Sequence, residues 1–213
     1  MSLFRLDASI RTEGSHSRAI ADIVERSWRE GHPDAPVTRR HVGTEPLPST
    51  LWAEAVFASR TPEDDRTSEQ RAVVRTVAAL ADEIINADAL LFAVPLYNFG
   101  VSQHFKTWVD VMITEARLAS KPLAGRPAVL AAIRGGAYGA GTPREGWDHS
   151  TGWIRRILED VWELDLKVVE VEFTLVGVNP ALDEFKDLAA DMRVEAEKIA
   201  WEHGRHLAGL SVR

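Results

Sequence analysis

Ala89-Leu-Leu-Phe-Ala-Val-Pro-Leu-Tyr-Asn-Phe-Gly100 is the stretch on which the fold turns. Its first six residues, Ala89 to Val94, are apolar without alternation, the pattern of a parallel strand covered on both faces. Pro95 is expected to stop the strand. Tyr97, Asn98 and Phe99 then form a tight loop ahead of an amphipathic segment, Val101 to Ile113, in which Phe105, Trp108, Val109 and Met112 fall at helical spacing. Aromatics and an amide at the carboxyl end of a central strand stand where open α/β sheets bind ligands. Taken alone, the same residues serve equally as a loop with two buried anchors.

Outward from this stretch, strand and helix patterns alternate. Leu3 to Ala8 predicts a first strand, and Ser17 to Glu30 a helix with Ala19, Ile20, Ile23, Val24 and Trp28 on one face. Val37 to Val42 is a second strand. Helices follow over Ser49 to Ala58 and Ser68 to Asn86, separated by the charged and solvated Thr61 to Arg66. Beyond the Val101 segment come a strand, Pro127 to Ile133, a helix, Ser150 to Trp162, a strand, Lys167 to Leu175, and a long closing helix, Ala181 to His206. Strands joined by right-handed helical crossovers give a parallel sheet with helices on both faces, a doubly wound α/β fold of five strands in the order 2-1-3-4-5.

Composition bounds the function. At 213 residues the chain fits one domain, 1–213, with 45% hydrophobic and 27% charged residues as in ordinary globular proteins. A net charge of −7 argues against nucleic acid or an anionic membrane as the main partner. Zero cysteines exclude disulfides, thiol nucleophiles and thiolate metal sites. The start, Met1 to Asp7, has no signal-peptide core and no run reaches membrane-spanning length, so a cytoplasmic protein is expected. His203 and His206 share a helix face without a carboxylate-rich partner motif, so no metal is expected. A Gly-x-Ser-x-Gly elbow, the mark of a serine hydrolase on such a sheet, is missing.

In the order 2-1-3-4-5 the loops after strands one, three and four converge on one crevice. The first, Ser9 to Ser17, offers hydroxyls from Ser9, Ser15 and Ser17, a turn at Gly14 and the positive end of the following helix, all suited to a phosphate. Serine before a helix is also the preferred cap. Lacking a Walker pattern, the loop suits a monophosphate rather than a triphosphate with magnesium. The last, Arg134-Gly-Gly-Ala-Tyr-Gly-Ala-Gly141, lets backbone amides approach the edge of a flat ligand, or is simply a mobile surface loop. It is not the Gly-x-Gly-x-x-Gly of dinucleotide sites.

On Ala8-Ser9 with Ser15-His16-Ser17, on Val94-Pro-Leu-Tyr-Asn-Phe99 and on Arg134-Gly-Gly136, the chain resembles the FMN-dependent NADH azoreductases and NAD(P)H:quinone oxidoreductases over nearly its whole length. The resemblance implies a flavodoxin-like, FMN-binding domain. Ser9, Ser15, His16 and Ser17 would take the FMN phosphate. Pro95, Leu96, Tyr97, Asn98 and Phe99 would lie along the flavin, and Arg134, Gly135, Gly136 and Tyr138 at its edge. It further implies NADH or NADPH as reductant, a quinone, azo compound or similar flat electron-poor acceptor, two-electron ping-pong transfer without a side-chain acid or base, and a homodimer with the flavin at its interface. Two departures stand out. Ile133 replaces the family's usual serine, and the connection Glu115 to Gly125 is shorter and lacks the aromatic that covers the flavin from the other subunit, a surface Tyr138, Trp147 or Trp153 could replace. A one-electron flavodoxin-type carrier and a non-catalytic module that has lost flavin are the alternatives.

Overall fold

The computed structural model describes residues 1–210. Five strands, β1 (Leu3–Asp7), β2 (Val37–His41), β3 (Ala89–Tyr97), β5 (Pro127–Ile133) and β6 (Asp165–Val171), run parallel in the order β2-β1-β3-β5-β6, the flavodoxin-like arrangement. A sixth, the two-residue β4 (Gly100–Val101), pairs antiparallel with the end of β3. The helices are α1 (His16–Arg29), α2 (Leu51–Arg60), α3 (Ser68–Ile85), α4 (Gln103–Ile113), α5 (Thr151–Arg155) and α6 (Lys186–Leu207).

Alternation along the central strands sends side chains into two cores. Phe4, Leu6, Leu90 and Phe92 face α2 to α5, where Phe105, Trp108, Val109 and Met112 of α4 are all fully buried. Trp108 stacks on Phe4 at 6.1 Å and takes Trp162 edge-on at 5.7 Å. Leu3, Leu91 and Val129 face the opposite way onto Ile20, Val24 and Trp28 of α1 and Ala196 and Ala200 of α6. These two helices meet so closely that a Cβ on Gly204 would lie 2.4 Å from the Val24 carbonyl oxygen. On the same face β1 buries Arg5, which reaches Asp7, Asp22 at 2.7 Å and Glu25 at 3.1 Å, so the charge is matched rather than orphaned.

Most boundaries shift by one or two residues, Val101 pairs in β4 instead of opening the helical segment expected from it, and four further differences have a physical reason. β3 continues through Pro95 to Tyr97, because Pro95 sits opposite Ile133 at the last position of the β3–β5 ladder, where its missing N–H interrupts nothing beyond it. The helix expected over Ser150 to Trp162 is regular only to Arg155 and then widens into a π-helical turn, 156–161, which delivers Trp162 to Trp108. β6 ends at Val171: Phe173 adopts φ 56°, and the amides of Phe173, Thr174 and Leu175 turn to the carbonyls of Gly136, Arg134 and Gly135. The closing helix starts with a 3₁₀ segment, 180–185, before α6, where the Asn179 side chain accepts the Ala181 N–H and Pro180 fits the first turn. No helix among the described residues is long and apolar enough to cross a membrane.

Candidate functional site

The carboxyl ends of β1, β3 and β5 frame a cleft of about 320 Å³. Its first wall is the loop between β1 and α1. Ser15 caps α1, its Oγ accepting the Arg18 N–H at 3.4 Å and lying 3.1 Å from Ser17 Oγ. The amides of His16 and Ser17, in the first turn, have no acceptor among the described residues. Arg18 braces the loop from behind, donating to the Thr12 carbonyl at 2.8 Å and meeting His41 Nε2 at 2.9 Å. Gly43, just beyond β2, supports it too: a Cβ there would fall 2.0 Å from the Ser9 carbonyl oxygen, so only glycine fits.

The second wall is the hairpin that joins β3 to β4. Tyr97 pairs with Gly100 across two residues that both have positive φ, Asn98 at 48° and Phe99 at 65°. This is the primed turn that suits the twist of a hairpin, but phenylalanine in the second position, where glycine is usual, is a strained choice. Strain of that kind collects at functional sites. The Tyr97 hydroxyl ties the hairpin to the first loop, accepting the Ile10 N–H at 3.1 Å and lying 3.5 Å from Ser9 Oγ.

The third wall is the glycine loop, which the ordered turn after β6 pins down, so it is not free surface chain. Arg134 donates its N–H to Val171 and accepts from Thr174, and Leu175 donates to Gly135. A Cβ on Gly135 would meet the Leu175 side chain at 2.7 Å, which gives that glycine a packing reason. The buried Arg134 side chain lies among carboxylates, with Asp148 at 2.7 Å, Glu170 at 2.9 Å and Glu172 at 3.2 Å. Glu172 in turn accepts the Tyr138 N–H at 2.8 Å. Burial alone would raise Asp148, but hydrogen bonds from Thr151 and Ser150 and the charge of Arg134 bring it below the usual aspartate range.

Every residue singled out in the first loop (Ser9, Ser15, His16, Ser17) and in the hairpin (Pro95 to Phe99) lines the cleft, with Gly135 and Tyr138. Arg134 and Gly136 do not. The Arg134 guanidinium is spent on the carboxylates behind the loop, and Gly136 lines a neighbouring cavity. Arg11, Ile133, Thr174 and Leu175 also line the cleft. Of these, Thr174 and Leu175 were hidden by the expectation that β6 runs to Leu175. A phenylalanine followed by threonine in an alternating strand pattern gives no sign of the positive φ that ends it. Phe99 meets Tyr138 and Trp147 edge-on, at 6.2 and 5.4 Å, and Trp147 is half exposed at the mouth. Trp153 lies elsewhere, under Lys106 in the α4 core.

The cleft is electrically lopsided. Arg11 has no ion-pair partner among the described residues, and His16 is held below the ordinary histidine value by burial and then by Arg193 and Arg11. One end therefore combines hydroxyls, free amides and positive charge, and the other presents flat apolar surface from Leu96, Ile133, Tyr138 and Leu175. This donor set fits a phosphate joined to a planar ring, and a phosphate placed there would meet the helix dipole without a competing carboxylate. Among the described residues no group of three or more His, Asp or Glu could hold a metal ion.

Comparison with known proteins places the chain. A family model described as a flavodoxin-like fold matches residues 1–195. An FMN-dependent NADH:quinone oxidoreductase of Frankia casuarinae is 39% identical over 203 residues, covering 93% of this chain and 96% of its own. That of Frankia alni is 40% identical over 201 residues, covering 92% and 95%. Among solved structures, an FMN-dependent NADH-azoreductase from Bacillus anthracis in complex with FMN superposes with a TM-score of 0.77 at 14% identity, covering 98% of this chain and 100% of its own, a likeness of fold.

Proposed function

The chain belongs to the FMN-dependent NADH:quinone oxidoreductases of flavodoxin-like fold, and we infer that it works as its relatives are named: FMN is the cofactor, NADH the reductant, and a quinone or azo compound the acceptor. The observation that carries this to the residues is the lopsided cleft, a phosphate-ready helix terminus continuous with a flat apolar slot.

In this reading Ser9, Ser15, Ser17 and the amides of His16 and Ser17 hold the phosphate. The hairpin from Pro95 to Phe99 supports the ring, and Gly135 and Tyr138 border its edge. Bound FMN supplies the hydride-transfer chemistry. The protein's part is placement: Tyr97 clamps loop to hairpin, the strained turn fixes the Asn98 amide, and backbone amides fixed before reaction favour developing negative charge. None of the cleft's side chains is assigned the role of acid or base. We take the order to be ping-pong, with oxidised nicotinamide leaving before the acceptor enters, in a cytoplasmic homodimer whose second copy covers exposed Trp147 beside the cleft.

Absorbance of the purified protein tests the reading. Bound flavin that NADH bleaches rapidly and a quinone recolours is the expected result. Flavin without bleaching would make the protein a carrier, and absence of flavin affinity would make it a module that has lost the cofactor. Asn98→Gly sharpens the assignment, since glycine keeps the positive φ while removing the amide. It should fold normally and bind FMN more weakly by about 1–3 kcal/mol. Unchanged affinity and turnover would remove Asn98 from the site.

A further inference from the structure

Across the glycine loop from the cleft lies a larger cavity, about 580 Å³. Leu182, Phe185, Leu188 and Met192, from the 3₁₀ segment and the start of α6, form one side. Phe173 closes its base, stacked on Phe185 at 5.1 Å. Of the polar side chains around it, Thr142 and Glu172 are already engaged. Thr142 donates to the Gly139 carbonyl at 2.8 Å, and Glu172 serves Arg134 and the Tyr138 amide. Apart from Arg144 the side chains of this lining offer no free polar group to read a base, a ribose or a peptide, yet Leu188 remains 49% exposed at its rim.

Arg144 connects this groove to the cleft. It lines the groove, its guanidinium carbon lies 5.7 Å from the centroid of Phe99, and it has no ion-pair partner among the described residues. Phe99 and Tyr138 belong to the cleft wall, and a Cβ built on Gly136 of the groove would lie 3.8 Å from Tyr138 and 3.3 Å from Arg144, so the two cavities adjoin at this border.

We propose that the groove binds the apolar side chain of a prenylated or alkylated quinone whose head occupies the cleft. The proposal rests on the oxidoreductase reading and narrows its acceptor class. An apolar side of Leu182, Phe185, Leu188 and Met192, with one cation, Arg144, at the border with the cleft, favours a hydrocarbon tail over the adenosine end of the reductant, whose base and ribose need several polar partners.

The test compares 2-methyl-1,4-naphthoquinone with the same head carrying a two-isoprene chain, using the FMN-loaded enzyme. Turnover is measured by NADH oxidation, and binding by quenching of tryptophan fluorescence without NADH. A fully buried methylene is worth about fourfold in affinity, so even partial burial of the chain should lower KM and Kd about tenfold or more. Leu188→Asp at the rim, and Ala140→Trp filling the groove, should each erase that gain and leave the tail-less quinone unchanged. Equal affinities for the two quinones in the unmodified enzyme, or a gain that survives both substitutions, would overturn the proposal. So would a change of molecular mass in Leu188→Asp by light scattering, which would make the groove an interface between copies. If both quinones bind and neither is reduced, the oxidoreductase reading fails instead, and the affinity ratio still decides the groove.

Discussion

The loop from Ser9 to Ser17 is held by backbone, hydroxyl and arginine contacts that leave donors open, whereas the loop from Arg134 to Gly141 hangs from one guanidinium ringed by three carboxylates and leaves none of its charges open. Both border one cleft. The first has unspent hydrogen-bonding capacity at a helix terminus, so its binding energy is available to a ligand. The second has spent its one charged side chain on its own support. One loop should therefore register damage as lost affinity, the other as lost stability.

Arg134→Met puts the largest strain on this contrast. Removing the cation leaves Asp148, Glu170 and Glu172 facing one another, and breaking a buried ion cluster costs about 3–5 kcal/mol. Denaturant unfolding of the apoprotein should show that loss. Weakened FMN binding at full stability would instead give Arg134 a direct contact with the ligand and dissolve the distinction between the loops.

Ser15→Ala and Ser17→Ala probe the other side. Each hydroxyl given to a charged phosphate is worth about 1.5–3 kcal/mol, against about 1 kcal/mol for a lost helix cap. FMN titration of the two apoproteins should therefore lose more than their melting does. The reverse ranking would reduce these serines to capping.

The smallest effect is a pH dependence. His16 has a folded-state value below its ordinary one, because burial and the charges of Arg193 and Arg11 oppose protonation. Its contribution to stability is complete above the ordinary histidine range, about pH 6.5, and is lost as pH falls below it. Asp148, also depressed, keeps its contribution until pH falls below the usual aspartate value. His203, lowered chiefly by burial, adds to the near-neutral window, so the apoprotein should weaken in two steps, near-neutral then acidic, and His16→Asn should shrink the first and leave the second unchanged. Inorganic phosphate should raise the NMR-observed titration of His16. A titration that phosphate leaves in place would put the anion site elsewhere.

The sheet was legible because burial on both faces writes continuous apolar runs, and β3 and β5 carry them plainly. Ser15 and the Asn98 turn were legible for a related reason, since caps and tight turns select residues locally. Arg134 misled because its partners lie 14 to 38 positions away, at Asp148, Glu170 and Glu172, and no local pattern links a loop arginine to them. The turn after β6 misled because Phe173 takes a positive φ that its side chain disfavours, imposed by bonds to the glycine loop rather than by its own preference. Pro95 obeyed the rule against proline inside a ladder, but at its last rung rather than one residue beyond its end.

The close approach of Gly204 to Val24 has a consequence for how the protein is made in time. The buried face of α1, which carries the Ser9 to Ser17 loop at its start, rests on Ala196, Ala200 and Leu207 of α6, far later in the sequence. At 5–20 residues per second, roughly ten seconds or more separate the emergence of these partners from the ribosome. Through that interval α1 lacks its cover and the phosphate seat lacks its rigid base. Flavin capture therefore waits for α6, and a nascent chain halted before α6 emerges should not retain FMN.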